Sequence, residues 1–187
     1  MPISMYEASI PVFLRYLERL AGLVDTAESH VRVHKIEATE LLTARLAPDM
    51  LPFEAQVRIV ANFALRACFP LVGRDIPPYG EFEVSFAGLR ECIARAVVLV
   101  SSLEPALFEG SESRTLESKA GNAVVSLPAP EFLFQYALPN FFFHLTAAYS
   151  ILRSRGVAIG KADFDGFHSS VSSMVTQREQ RRASCRW

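Results

Sequence analysis

The sequence predicts an all-α fold: an up-and-down four-helix bundle with one short extra helix and an inserted β-hairpin before the last long helix. Three observations predict it. Apolar residues recur at helical spacing over four long stretches. Proline and glycine clusters join those stretches by mostly short connections, the arrangement in which consecutive helices pack antiparallel. Between residues 114 and 127 the period changes from helical to alternating.

The first helix opens at Ser4-Met5-Tyr6-Glu7, a capping-box pattern. In it the Ser4 hydroxyl accepts from the Glu7 amide, and the Glu7 carboxylate accepts from the Ser4 amide. Ile10, Phe13, Leu14, Leu17, Leu20 and Val24 then mark one face for burial. Pro11 removes a backbone donor and predicts a kink near the start, and the pattern fades near His30. A shorter helix, about Glu37 to Leu46, carries Leu41, Leu42 and Leu46 on one side. It ends at Ala47-Pro48-Asp49-Met50-Leu51-Pro52, because a residue before proline is pushed out of the helical region.

The next helix can begin at Pro52, whose missing amide costs nothing in the first turn, and runs through Val57, Val60, Ala61, Ala64, Leu65 and Cys68 towards Gly73. Arg74 to Gly80 is a loop by composition. Phe86, Leu89, Ile93, Ala96, Val97 and Val100 mark another helix, ending near Leu103. Arg114–Ser118 and Ala123–Leu127 read as strands flanking Lys119-Ala120-Gly121-Asn122, in which Gly121-Asn122 is good turn chemistry. Two strands alone are marginal in water, so this hairpin must pack on the bundle. The last long helix spans about Pro130 to Arg155, kinked at Pro139 and closed by Gly156 as a C-cap. Gly160 to Phe167 is expected to pack back as an extended segment.

Length and composition suit one domain over residues 1–166, with a polar, arginine-rich tail over 167–187. Half of the 187 residues are apolar and 14 are Phe, which excludes a disordered chain. The 19 basic and 20 acidic residues leave a formal charge of −1, so no global field draws the chain to nucleic acid or an anionic membrane. The most apolar windows, Ala94–Val100 and Phe132–Leu145, are broken by Arg95, Gln135, Asn140 and His144 and fall short of a membrane span. No leader pattern follows Met1, and the three cysteines form no CxxC motif, so a reducing, cytoplasmic setting is expected. The apolar content exceeds what a lone bundle needs, which points to a homodimer.

Four histidines are the first place to look for chemistry. His30 and His34 stand four apart and could share a helical face, as in a zinc-chelating HxxxH, but they lie in a polar, fraying stretch without a third ligand nearby. His168 falls in the tail. His144 differs, because it lies in Leu138-Pro139-Asn140-Phe141-Phe142-Phe143-His144-Leu145, among the most apolar residues of the chain. Asn140 precedes it by four residues and shares its helical face. Pro139 also frees the Gln135 carbonyl. Such a histidine is either a satisfied core group linking two helices or part of a pocket, as base or ligand. Gln56 and Asn62 are two amides on the third helix that do not share one face cleanly. Gln56 suits the bundle because Val60 follows four residues on, and Asp49 is placed to interact with that helix's N-terminal amides. There is no GxSxG, phosphate-binding glycine loop or dinucleotide fingerprint. Nothing in the sequence decides whether the protein is an enzyme.

Two stretches carry a family likeness. One is Ile3-Ser4-Met5-Tyr6-Glu7-Ala8-Ser9 with Pro11, followed by Arg45-Leu46-Ala47-Pro48-Asp49-Met50. The other is Leu138 to His144, continuing through Thr146, Tyr149, Ile151-Leu152-Arg153, Gly156-Val157 and Gly160-Lys161-Ala162-Asp163-Phe164. Together they resemble a bacterial family of domains of unknown function within the DinB/YfiT-like superfamily. The resemblance implies a DinB-like bundle, often dimeric. Many superfamily members hold a divalent metal with three histidines, one from the second long helix and two from an HxxxH on the last. Members include metal-dependent thiol transferases and a mycothiol-dependent isomerase. Carried onto this sequence, the histidine positions fall at Gln56, Asn140 and His144, so one histidine of three remains. Carboxamides are poor partners for Zn²⁺ or Ni²⁺ beside imidazole, which favours a buried polar network and no cofactor. The resemblance thus implies a degenerate metal site, in a stress-associated or small-ligand-binding module whose pocket comprises Gln56, Asn140, His144, Asp49 and Tyr149. The alternative is a metal- or thiol-dependent transferase or isomerase centred on His144, with Zn or Ni as the metal.

Overall fold

Ser4 and Glu7 start the first helix through the reciprocal bonds that their spacing predicts. Glu7 N–H donates to Ser4 Oγ at 3.1 Å, and Ser4 N–H donates to the Glu7 carboxylate at 2.9 Å. In this computed structural model, which describes residues 3–168, α1 (Met5–His34) then runs through Pro11. It extends a turn beyond the point where its apolar pattern fades, because Val31 still packs against the core. Lys35 ends it in the left-handed region at φ 53°.

The second helix, α2 (Ala38–Leu42), is shorter than expected. Leu41 and Leu42 are buried, whereas Leu46 falls outside it and is exposed. The Ala44 amide turns to the Leu41 carbonyl at 3.2 Å, and the Ala44 carbonyl, four residues before the donorless Pro48, accepts from the Phe53 amide of the next helix, α3 (Phe53–Leu71), at 2.9 Å. That bond, and no side chain, caps the start of α3, so Asp49 does not do so as the sequence suggested. The fourth helix, α4 (Phe86–Ser101), is capped by Ser85 Oγ, which accepts from the Gly88 amide at 3.0 Å.

Strands β1 (Thr115–Ala120) and β2 (Ala123–Pro128) form the predicted hairpin, antiparallel, with Thr115 opposite Pro128 and Ala120 opposite Ala123. Gly121-Asn122 is therefore a two-residue turn, and Gly121 supplies the positive φ (60°) that its first position requires. The hairpin packs on α3 by burying Leu116 and by bonds from Arg66 to Ser118 and Lys119.

The last long helix is continuous but not uniform. It consists of α5 (Ala129–Glu131), a π turn at Phe132–Ala137, and α6 (Leu138–Ser154), with helical dihedrals at both junctions. A proline ring crowds the carbonyl four residues before it, and here the helix widens into a π turn immediately ahead of Pro139. Gly156, at φ 80°, closes α6 as predicted. The Gly156 amide donates to the Arg153 carbonyl and the Val157 amide to the Leu152 carbonyl, each at 3.1 Å, the two bonds of a Schellman cap.

The segment expected to be extended instead forms a short helix, α7 (Lys161–Asp165), packed against α1. Its first turn is set by the Asp163 carboxylate, which accepts from the Gly160 amide at 2.7 Å. The arginine-rich segment from residue 169 onward, with Cys185, lies outside the described residues.

Helices α1, α3, α4 and α6 enclose the core, a four-helix bundle as predicted. Phe13, Phe53, Phe132 and Phe141 are fully buried in it, and the Phe13 and Phe141 rings meet edge to face at 4.9 Å. Among the described residues no helix is long and apolar enough to cross a membrane.

Candidate functional site

Arg58, Asn62 and Arg66 are spaced four apart on α3, so they stand one above another on a single face. Tyr136, Asn140 and His144 repeat the same spacing along the last helix. The two stripes wall a recess of about 520 Å³, completed by Ile59 and Phe63 of α3, Tyr79 of the α3–α4 loop, and Lys119 and Gly121 of the hairpin.

Gln56 and His144 join α3 to α6. Gln56 is 2% exposed, and its Oε1 lies 2.7 Å from His144 Nδ1. The proton on that bond can be assigned. Gln56 Nε2 donates to the Leu51 carbonyl at 3.2 Å, and a carbonyl only accepts. Oε1 must then face the imidazole, so His144 carries its proton on Nδ1 and donates it. Nε2 is left with a lone pair and no protein partner among the described residues. Burial lowers the His144 pKa below its ordinary value, which favours this neutral form. His144 also stacks on Phe63, with ring centroids 5.9 Å apart.

Asn140 is held by the disturbed helix itself. Its Nδ2 donates to the Tyr136 carbonyl at 2.7 Å, within the π turn, and leaves Oδ1 as an acceptor. Asn140 and His144 both line the recess, and each bonds a different partner. Arg66 crosses the gap to the hairpin. Its Nη2 donates to Ser118 Oγ at 2.6 Å, to the Lys119 carbonyl, and to the Tyr136 hydroxyl at 3.3 Å. Its guanidinium also lies over the Phe63 ring, 4.7 Å from the centroid.

Of the five residues that the sequence points to, three gather at this place: Gln56, Asn140 and His144. Asp49 is exposed in the turn before α3, and Tyr149 packs edge to face on Phe164 at 5.6 Å, so neither lines the recess. His30 and His34 lie on the outer end of α1, their rings 4.1 Å apart, and His34 Nδ1 bonds the His30 carbonyl at 2.9 Å. His168 is tied to the buried Asp165 carboxylate at 2.7 Å, a contact that sequence reading missed.

It also missed Arg58, Phe63, Arg66, Tyr79, Lys119 and Tyr136. One signal was available: Arg66 is a lone cation in the apolar run Phe63 to Leu71, four residues after Asn62. An ion there needs a built environment.

The donor set does not suit a transition metal. Gln56 Oε1 is engaged by the His144 proton, Asn140 offers one amide oxygen, and a single imidazole nitrogen remains. Among the described residues no group of three or more His, Cys, Asp or Glu side chains is placed to hold a metal ion.

A family model described as "Domain of unknown function (DUF1993)" matches residues 5–165. The chain belongs to that family. Among solved structures it is similar to a DinB family member protein from Shewanella denitrificans, with a TM-score of 0.80 and 29% identity. The likeness covers 89% of this chain and 94% of that one. No curated protein matches the chain. The family resemblance and the DinB-like bundle expected from the sequence are both borne out.

Proposed function

We propose that this member of the family is a small-ligand-binding module in which the metal site of other DinB-like proteins has become a polar network. One observation carries the reading: the 2.7 Å bond between Gln56 Oε1 and His144 Nδ1. It ties the imidazole to an amide and leaves Nε2 as a neutral acceptor on a ring that lines the recess. An amide partner orients the ring without adding the negative charge that a carboxylate would bring to a metal-binding histidine. The test is elemental analysis of the full chain, purified without a histidine tag. Binding of Zn or Ni well below one equivalent is expected; one equivalent lost in His144→Ala overturns the reading.

A second reading, a thiol-dependent transferase or isomerase with His144 as general base, is supported by the same unprotonated Nε2. If His144→Ala leaves every thiol-transfer rate unchanged, that reading is wrong. A metal-dependent version needs ligands that Gln56 and Asn140 do not offer. The proposal includes a cytoplasmic homodimer. Free, buried thiols at Cys68 and Cys92 support the reducing setting, and the exposed rings of Phe134 and Phe143 support self-association. Light scattering on the full chain checks the dimer, and a monomer at all concentrations removes it. No nucleic acid or membrane partner is proposed.

A further inference from the structure

We propose that the recess between α3, α6 and the hairpin binds a small organic oxyanion, a carboxylate or phosphate ester, that also carries a hydrogen-bond donor. The proposal rests on the ligand-binding reading above and names the class of ligand. The two ends of the recess differ in chemistry.

At one end stand Arg66 and Lys119, and neither forms an ion pair among the described residues. Arg58, the third cation on the wall, is already engaged. Its Nε lies 2.9 Å from Glu54 Oε2, and its Nη2 donates to the carbonyls of Phe82 and Glu83 at 2.9 and 2.7 Å. Among the described residues no carboxylate lines the recess; Glu117 lines an adjoining hollow that shares Arg66, Lys119 and Gly121.

Arg66 makes its protein bonds through Nη2, which leaves Nε and Nη1 without acceptors among the described residues. A guanidinium fixed by three acceptors and an aromatic face has little rotamer freedom left to lose, so it is preorganised for an oxyanion. Tyr136 accepts from Arg66, and its own O–H proton remains available to the same anion.

At the other end His144 Nε2 and Asn140 Oδ1 are both acceptors. A hydroxyl, amine or thiol on the ligand matches them, whereas a second anionic group set against these two atoms would meet their lone pairs. A neutral ligand would leave Arg66 and Lys119 uncompensated. The hairpin fits this assignment. Of its described side chains only Leu116 is buried, so it adds little core, yet it delivers Lys119 and holds Arg66.

The test uses the full chain with labelled histidine, following the His144 ring resonances, which His144→Gln assigns. The probes are 4-hydroxyphenylacetate, its neutral isostere 4-hydroxyphenylacetamide, phenylacetate and phenyl phosphate. The hydroxylated carboxylate is expected to bind about tenfold tighter than the amide, because hydrogen bonds to charged groups are the stronger ones. Phenylacetate, which lacks the donor, is expected to bind about threefold more weakly than its hydroxylated form. Phenyl phosphate ranks the two kinds of oxyanion.

Lys119→Gln keeps the carbonyl that holds Arg66, so it is expected to leave the melting temperature unchanged and to weaken carboxylate binding about two- to fivefold. Arg66→Gln is expected to weaken it about tenfold. Equal binding of the amide and the carboxylate overturns the oxyanion assignment but leaves the ligand-binding reading standing. So does carboxylate binding that neither substitution alters. A His144 signal that none of the four probes moves also overturns the assignment, and metal analysis then judges the ligand-binding reading separately.

Discussion

On one side of α6, Phe141, Leu145, Ala148 and Leu152 are fully buried and close the core; on the other, Asn140 and His144 are half-buried and face the recess. The two faces belong to the same few turns, yet they depend on their surroundings differently. The apolar face needs volume and shape, which many neighbours supply together and none supplies alone. The polar face needs particular atoms: Gln56 Oε1 for one imidazole nitrogen and the Tyr136 carbonyl for one amide. Substitutions should therefore injure the first face through stability and the second through pairing.

The largest effect is expected on the apolar face. Phe141→Ala removes a ring that meets Phe13 at 4.9 Å and should destabilise the fold by about 3–5 kcal/mol. Urea unfolding measures it. A loss under 1 kcal/mol, the cost of an ordinary surface change, would mean that the core is not built around this contact.

On the polar face, Gln56→Leu strands the His144 Nδ1 proton and should cost about 1–3 kcal/mol. Adding His144→Leu should recover part of that loss, since two apolar groups leave nothing unpaired. A double mutant that shows simple additivity would break the claim that the two residues act as a pair.

A smaller effect is expected from acid. Burial lowers the His144 pKa from its ordinary value of 6.5, so below that pH the unfolded chain binds a proton that the folded chain resists. Stability should fall as the pH drops below 6.5 towards the lower, folded-state pKa. His30, lowered by burial and by the neighbouring His34, contributes in the same direction. His144→Gln should flatten the profile over that window, and an unchanged slope would show that His144 is not the group responsible.

The smallest effect belongs to Asp49. It is exposed and caps nothing, so Asp49→Ala should change stability by less than about 0.5 kcal/mol. A loss of 1 kcal/mol or more, in the range of a lost helix cap, would restore the capping role that its position suggests.

The sequence by itself determined the four long helices, the hairpin and the core. The reason is that period, caps and turn chemistry act over a few residues. The Ser4–Glu7 box, the Gly121-Asn122 turn and the Gly156 cap all appear where the spacing puts them. It was less reliable where a distant partner competes for a backbone group. The Ala44 carbonyl turns to the Phe53 amide nine residues on, whereas α7 was missed although its bond from the Gly160 amide to Asp163 is local.

The candidate site divides in the same way. His144, Asn140 and Gln56 could be read from the sequence, since polar groups in apolar runs stand out. Only the tertiary structure decided that Gln56 bonds His144 across 88 positions of sequence, and that Arg66 reaches Ser118, 52 positions away. No local pattern encodes those pairings. They exist because packing α3 against α6 and the hairpin leaves each buried polar atom few partners within reach.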